Sequence, residues 1–329
     1  MNIYDIAKKA GVSIATVSRV INGTGPVSQK TRDRVTKVME ELGYTPNVFA
    51  RGLMVNSIKV LGLLTIDVRD LYHASAIHTI EVEARQRGYD VILCSTGNDI
   101  NQKKKYLKLL LQKRVDGIIL VGSVFKEKTD NSHILEAARD VPVVMINGDV
   151  EGDNIYSVIC DDSFGVYSAV GHLVKRGRKD IVFINDVDTF SGIAKTRGFK
   201  KGMKEYGLNL KQDSIIKTTE GIDGGYAAVE KMINEGRKIS AIVAAQDILA
   251  VGVLKRLQEA GIRVPEDIAV IGYDNSLISC CTTPELTTVD SKVEAISSLA
   301  IKTLIDVIEG KNVPVKTVIT PELVIRGTA

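Results

Sequence analysis

The 329-residue sequence predicts two joined fold classes: an all-α helix-turn-helix segment, then an α/β core of two lobes, each an open parallel sheet. Three observations predict this. Three short helices with cap signals fill residues 1–43. From Val60, apolar runs alternate with amphipathic helices. That rhythm restarts near Asp180. Composition agrees: 44% of residues are hydrophobic but only 5% aromatic, and Trp is absent. A core built from Val, Ile, Leu and Ala suits parallel strands buried on both faces.

The first helix is expected over about Tyr4–Ala10, stopped by Gly11. Ser13 can cap the second, Ile14–Asn22, and Ser28 the third, Gln29–Leu42, which Gly43 ends. Ile6, Ala7, Ala10, Val12, Val17, Val20 and Ile21, with the stripe Val35, Val38, Met39 and Leu42, supply a small core. In the second helix, Ala15, Ser18, Arg19 and Asn22 share the outer face. A solvated face would carry Glu and Lys; this one offers small residues, hydroxyls, an amide and one Arg. With the tight "AGVS" connection before it, the segment has helix-turn-helix geometry and a face shaped for a DNA groove. Thr16 and Ser18 can bond phosphates or bases, and Arg19 can fork onto guanine. Charge points the same way. Residues 1–60 hold nine Lys/Arg and four Asp/Glu, a local +5 within an overall +3, and no acid lies between Asp5 and Asp33. A basic module joined to a near-neutral body fits a polyanion partner.

Residues 44–60 form a joint. A short helix can start after Pro46 at Asn47; Gly52 weakens it, and alone it is too short to persist. The core strands then follow: "VLGLLTI", "DVILCS", "VDGIILVG" and "VPVVMING", then "DIVFIN", "SIIKT", "SAIVAA" and "DIAVIGYD". The final "LTTV", a helix near 292–309 and "TVITPELVI" are expected to cross back. Two facing lobes leave a cleft, and ligands of open α/β sheets sit at strand carboxyl ends. Asp67, Asp70, Tyr72, His73, Asp186, Thr189, Gln246, Asp247, Asp274 and Asn275 fall there.

Several classes are excluded or disfavoured. None of GxGxxG after the first strand, GxxxxGK[ST], GxSxG or HExxH occurs, so the chain does not read as an enzyme. No metal spacing is present and no cofactor is expected. "KKK" at 103–105 reads as a solvated helix face, Asp247 as a cap and the four cysteines as core residues. The N-terminal stretch lacks an apolar signal core and no 18-residue apolar run exists; a cytoplasmic, membrane-free protein is expected.

The motifs "YDIAKKAGVSIATVSRVING", "VSQKTRDRVTKVMEELGYTPNVFAR", "RVDGIILVG", "VPEDIAVIGYDN" and "TPELTTV" resemble the lactose-repressor (LacI/GalR) family of bacterial transcription regulators along essentially the whole chain. The first two are highly specific; the later ones also fit sugar-binding proteins of the periplasm. The resemblance implies a helix-turn-helix domain over 1–46, a hinge helix and linker over 47–59, and a periplasmic-binding-protein-like core over 60–329. Its first lobe would span about 60–160 and 291–325, its second about 161–290. It implies a homodimer reading a palindromic operator. By that match Ile14, Ala15 and Arg19 read bases, while Ser13, Thr16, Ser18 and Asn22 contact or order the backbone. Asn47 starts the hinge, Ala50 lets two hinges pack, and Leu53 is the minor-groove wedge at the operator's centre. The effector, a sugar or sugar derivative, would meet Tyr72, His73, Ser75, Thr189, Ser191, Lys195, Glu220, Gln246 and Asp274. Two positions depart from the family. Lys195 stands where an Arg is usual, and a point charge replaces a bidentate fork. Glu220 stands where an aromatic lid residue is common. Lys195 could serve an anionic group or pair with Glu220. Control by a phosphorylated carrier protein stays open as the alternative, and a sugar-binding or enzymatic α/β protein is the rival from another class.

Overall fold

The computed structural model describes residues 2–22, 25–44, 57–186 and 188–329. The chain divides into two compact units, Met1–Ile58 and Lys59–Ala329.

The first unit is the expected trio of helices: α1 (Ile3–Ala10), α2 (Ile14–Asn22) and α3 (Gln29–Glu41). Each start has a local cause. The Asn2 side chain accepts from the amides of Tyr4 and Asp5, and Asp5 returns the bond to the Asn2 amide. Ser13 Oγ accepts from the Thr16 amide at 3.1 Å. Ser28 does the same for Thr31. Gly11 ends α1 at φ 60°, a left-handed turn that suits glycine. Ile6, Ala7, Ala10, Val17, Val20, Val35 and Val38 are buried together, as the apolar spacing predicts. Lys9 and Glu41 join α1 to the end of α3 at 3.0 Å.

The second unit holds two six-stranded sheets. The first lobe contains β1 (Val60–Thr65), α4 (Leu71–Gln86), β2 (Asp90–Ser95), α5 (Ile100–Gln112), β3 (Gly117–Val121), α6 (Ser132–Asp140), β4 (Val143–Ile146) and β5 (Ile155–Cys160). The second contains α7 (Asp162–Lys175), β6 (Ile181–Asn185), α8 (Phe190–Glu205), β7 (Ile215–Lys217), α9 (Gly221–Asn234), β8 (Ala241–Ala244), α10 (Asp247–Glu259), β9 (Ala269–Tyr273) and β10 (Thr287–Asp290). The chain then returns to the first lobe through α11 (Val293–Ile308) and β11 (Lys316–Ile319), and ends in β12 (Glu322–Val324).

Strand order is β11-β5-β4-β3-β1-β2 in one sheet and β12-β10-β9-β8-β6-β7 in the other. The described ladders are parallel except β10–β12, which is antiparallel. β1, β3, β4, β6, β8 and β9 are buried along their whole length, so the aliphatic runs fill both faces.

Four expectations need correction. The family resemblance implies a first lobe reaching to about 325, but β12 pairs with β10 in the second, with Val289 opposite Leu323. The sequence pattern also missed β5, whose alternating "IYSVIC" lacks the apolar run of its neighbours. Lys103 is not on a solvated face: it is 1% exposed, and its ammonium donates to Val124 O at 2.7 Å and Glu127 Oε1 at 2.8 Å. Of the cysteines, Cys94 and Cys160 are buried but Cys280 and Cys281 are exposed. Among the described residues, no helix is long and apolar enough to cross a membrane.

Candidate functional site

On the first unit, Ser13, Ile14, Ala15 and Arg19 are exposed, while Thr16 and Ser18 are half-buried. Val17 and Val20 turn inward to the small core. The outward face of α2 therefore carries the residue types expected for a groove, with Ile14 41% exposed. Thr16 Oγ1 and Ser13 Oγ share a hydrogen bond at 2.9 Å, which fixes both hydroxyls beside the helix N-terminus. That end presents amide donors suited to phosphate. The side chain of Asn22, and the expected hinge residues Asn47, Ala50 and Leu53, lie outside the described residues.

In the core, a cavity of about 460 Å3 lies between the lobes. It is built at the carboxyl ends of strands from both sheets. Asp70 and His73 follow β1, Gly122 and Ser123 follow β3, and Asn147 follows β4. Asp186 follows β6, Gln246 β8 and Asp274 β9. Of the expected effector residues, Tyr72, His73, Thr189, Ser191, Lys195, Glu220, Gln246 and Asp274 all line it. Ser75 does not. One helical turn beyond Tyr72, it faces a neighbouring groove bordered by Leu277 and Lys292, which shares Tyr72 and Asp274 with the cavity.

First-lobe side chains are held firmly. Asp70 caps α4 by accepting from the His73 amide at 2.9 Å. The His73 ring, 8% exposed, meets Thr65 Oγ1 at 2.7 Å; burial lowers its pKa, and Asp70 and Asp67 oppose that only in part. Tyr72 OH accepts from Asn147 Nδ2 at 2.8 Å, and Asn147 Oδ1 accepts from the Cys160 amide at 2.7 Å.

Second-lobe side chains form a charged floor. Lys195 is 4% exposed; its ammonium donates to Ala245 O at 2.8 Å and lies 3.8 Å from the Tyr273 ring centroid. Burial pushes its pKa down, but Asp274, Asp162 and Asp186 outweigh burial and hold the ammonium charged. No ion pair joins Lys195 to Glu220, which is exposed at the start of α9. Asp162 is satisfied: Tyr273 OH donates to it at 2.7 Å and Ser191 Oγ at 2.6 Å. Asp186 is not. Among the described residues neither of its buried carboxylate oxygens has a hydrogen bond of good geometry; burial raises its pKa, and the nearby amides of Asp186 itself and Gly221, with Lys195, oppose that only in part. Burial pushes the Asp274 carboxyl up to about 7, against the pull of Lys195.

Asp274 owes its position to a supporting network. It sits at φ 104°, followed by Asn275 at φ 51°, backbone that side-chain-bearing residues rarely adopt. Asp247 ties down the next turn, accepting from the Ser276 amide at 2.7 Å, Ser276 Oγ at 2.9 Å and Thr288 Oγ1 at 2.5 Å. Arg326, beyond β12, donates to Asn275 Oδ1 at 2.7 Å and Leu286 O at 2.8 Å. Asp247 is therefore not the helix cap expected of it; Gln246 holds that position, without a side-chain cap bond.

Sequence reasoning missed Asp162, Asn147, Lys126 and Phe190. "CDD" at 160–162 offered two carboxylates after an apolar pair, but a tertiary partner, Tyr273, selects the second. Across the cavity mouth, Lys126 lies 4.5 Å from the Phe190 ring centroid, the Ser191 amide donates to Ser123 Oγ at 3.3 Å, and Lys128 sits 3.9 Å from Asp188. These contacts join the lobes without closing the cavity.

A bilobed core with a polar cavity between its sheets, preceded in the chain by a helix-turn-helix unit, is the architecture of DNA-binding regulators that carry an effector-binding domain. Comparison with known proteins agrees. Residues 2–47 match the lacI family of bacterial regulatory proteins, and residues 170–329 match the periplasmic binding protein-like domain. A helix-turn-helix transcriptional regulator of Lachnoclostridium phytofermentans is 44% identical over 330 residues, spanning 100% of this chain and 99% of that one. The transcriptional repressor PurR of Proteus mirabilis is 36% identical, spanning 98% and 95%. Among solved structures, the Lac repressor dimer bound to operator and the anti-inducer ONPF aligns with a TM-score of 0.89 at 26% identity, covering 100% of this chain and 98% of that one. The CelR–cellobiose complex aligns at 0.75 and 26%, covering 100% of both. The chain belongs to the LacI family: it is a DNA-binding transcriptional regulator with an effector-binding core, not an enzyme.

Proposed function

We propose that this regulator is a repressor that binds a palindromic operator as a homodimer, and that a carbohydrate bound in the interlobe cavity sets its DNA affinity. One observation carries the reading. The cavity draws side chains from the carboxyl ends of both sheets and is lined by acceptors and amides, among them Asp274 and Gln246. A polyhydroxylated ligand donates many hydrogen bonds to such a set, and a ligand held by both lobes favours one lobe arrangement over another. The relatives' names support the rest: PurR is a repressor, the Lac repressor structure is an operator-bound dimer, and CelR holds cellobiose. In this reading Arg19, Ile14 and Ala15 read bases while Ser13, Thr16 and Ser18 hold the phosphate backbone.

The test is selection of binding sites from random duplex DNA, followed by titration. A palindromic consensus is expected. Arg19→Ala should cost about 1–3 kcal/mol of base discrimination per half-site, about 5- to 150-fold, while random DNA is bound nearly as before. Equal weakening on consensus and random DNA would remove Arg19 as a base reader. A sugar that changes operator affinity should lose that effect in Asp274→Ala.

A further inference from the structure

Charge is segregated within the core. Residues 172–205 hold nine Lys/Arg and four Asp/Glu, the same tally as residues 1–60. Two segments of +5 within an overall +3 leave the rest of the chain at −7. Lys195 and the carboxylate of Asp186 are buried and formally cancel, so the excess lies on the surface of the second lobe. In α8, Arg197, Lys200, Lys201 and Lys204 recur at i, i+3, i+4 and i+7, one exposed stripe about 10 Å long. Lys175 and Arg176 are exposed at the end of α7. That helix runs beside α8 in the same direction: a Cβ added at Gly198 would meet Ser163 O, and one at Gly171 would meet the Tyr206 hydroxyl. Nearby ion pairs use other cations, Lys211 with Asp180 and Arg237 with Asp213; among the described residues none of these six has a carboxylate partner.

The same end of the lobe carries a hollow of about 240 Å3 below the starts of β6, β7 and β8. It adds Lys179, Lys211, Arg237 and Lys238, and reaches Met203 of α8. This is the amino end of the second sheet, whereas the interlobe cavity lies at its carboxyl end. Helix dipoles account for only part of the pattern. Cations in a last helical turn offset its exposed carbonyls, which covers Lys175 and Lys204. Arg197, Lys200 and Lys201 lie earlier in α8, beyond the reach of that effect.

The make-up of this face selects among polyanions. Four of the six unpaired cations are lysines, residues depleted where proteins dock on proteins but suited to phosphate as flexible point charges. The ends of α7 and α8 present carbonyls rather than amides, so they build no tight pocket for a small anion. The central aromatic ring is already taken: Tyr167 stacks on Tyr206 at 5.8 Å and holds the Lys201 ammonium 5.0 Å from its centroid, which leaves unstacked bases no platform there. A duplex needs no platform; it offers a row of phosphates to side chains on long stems. We propose that this face of the second lobe is a second DNA-binding surface, which grips the backbone of a duplex without reading its sequence. One regulator then holds two stretches of DNA, one by its helix-turn-helix unit and one by its core.

Two-duplex capture with the full chain tests this. A random-sequence duplex of about 30 bp is immobilised, the chain is bound to it at about 50 mM salt, and a second, labelled random duplex is added. The labelled duplex retained is counted per captured protein. Retention is expected, falling about 10-fold or more between about 50 and 200 mM salt. Replacing the stripe by glutamine, Arg197→Gln/Lys200→Gln/Lys201→Gln/Lys204→Gln, should cut retention about fivefold or more. All four side chains are exposed, so no core contact is lost. Lys175→Gln/Arg176→Gln on the neighbouring helix should give an independent, smaller loss. Wild-type protein that retains no labelled duplex, or a stripe variant that retains as much as wild type, would overturn the surface. Single-stranded DNA that displaces the labelled duplex as well as duplex does, phosphate for phosphate, would overturn the choice of duplex. Polyglutamate doing so, charge for charge, would overturn it in favour of an acidic protein. None of these results touches the operator reading, which site selection tests separately.

Discussion

Replacing Lys195 with Met keeps the aliphatic stem and removes the charge. The wild-type ammonium is 4% exposed and makes a 2.8 Å bond to Ala245 O, the kind of charge-assisted contact that contributes about 1.5–3 kcal/mol. Its 3.8 Å approach to the Tyr273 ring centroid adds about 1–2 kcal/mol in a desolvated setting. The desolvation of the ammonium offsets part of this, yet removing one member of a buried charge group typically costs about 3–5 kcal/mol because the others are left uncompensated. Here the others are Asp274, Asp162 and Asp186. The cost must therefore depend on pH. Asp274, poised at about 7 with Lys195 beside it, moves higher without it. Near pH 8 the variant carries its carboxylates charged or takes up protons at a cost, whereas near pH 5 Asp274 is neutral in both proteins. Urea and thermal unfolding of the full chain, followed at pH 5 and pH 8, measure the difference. About 3–5 kcal/mol should be lost at pH 8, a Tm drop of roughly 6–15 °C for a unit of this size, and markedly less at pH 5. An equal loss at both pH values would mean that Lys195 acts by packing alone. A variant more stable than wild type at pH 8 would refute the counter-charge argument outright.

Other outcomes follow from the same geometry. Asp247, raised to about 6, and Asp274, raised to about 7, bind protons more readily folded than unfolded, where their ordinary value is 3.8. Their contribution to stability should therefore fall as pH rises from about 4 to about 7. A double variant Asp247→Asn/Asp274→Asn should lose that component of the slope in chemical denaturation; an unchanged slope would contradict it. Gly252→Ala places a Cβ 1.9 Å from Ile222 O, a backbone atom that cannot swing aside, so the α9–α10 pair must separate. A loss of about 3 kcal/mol or more is expected by calorimetry, and a loss below 1 kcal/mol would show that the helices yield. Lys103→Met removes the buried donor to Val124 O and Glu127. Faster amide exchange over residues 123–129 is the expected readout, at about 1.5–3 kcal/mol of stability.

The helix α2 and its outward face are legible because local signals decide them. Ser13, the glycine at 11 and the 3.6-residue spacing of Val17 and Val20 fix that helix without reference to distant chain. The alternating core was legible for a similar reason: a strand buried on both faces must be apolar throughout. What escaped was set by partners far along the chain. Lys103 looks like its neighbours Lys104 and Lys105 in sequence, and only the turn after β3 makes it a buried donor. Asp162 and Asp186 are ordinary carboxylates in sequence; only the fold brings Tyr273 to the first and, among the described residues, no well-aligned donor to the second. Ser75 was placed in the cavity by position in a motif, and one helical turn carried it into the next groove.

The return of the chain through α11, β11 and β12 bears on how the core is made. During synthesis, the first sheet lacks its edge strand until residues 316–319 emerge, and the second waits for residues 322–324. Neither lobe is complete when its neighbour begins, so a ribosome-bound chain has a finished helix-turn-helix unit long before it has a core able to take up a ligand. The nascent protein therefore carries an assembled helix-turn-helix unit while its core is still incomplete. Strands β5 and β10 spend that interval with an unpaired edge, the stretch of synthesis most exposed to capture by another chain.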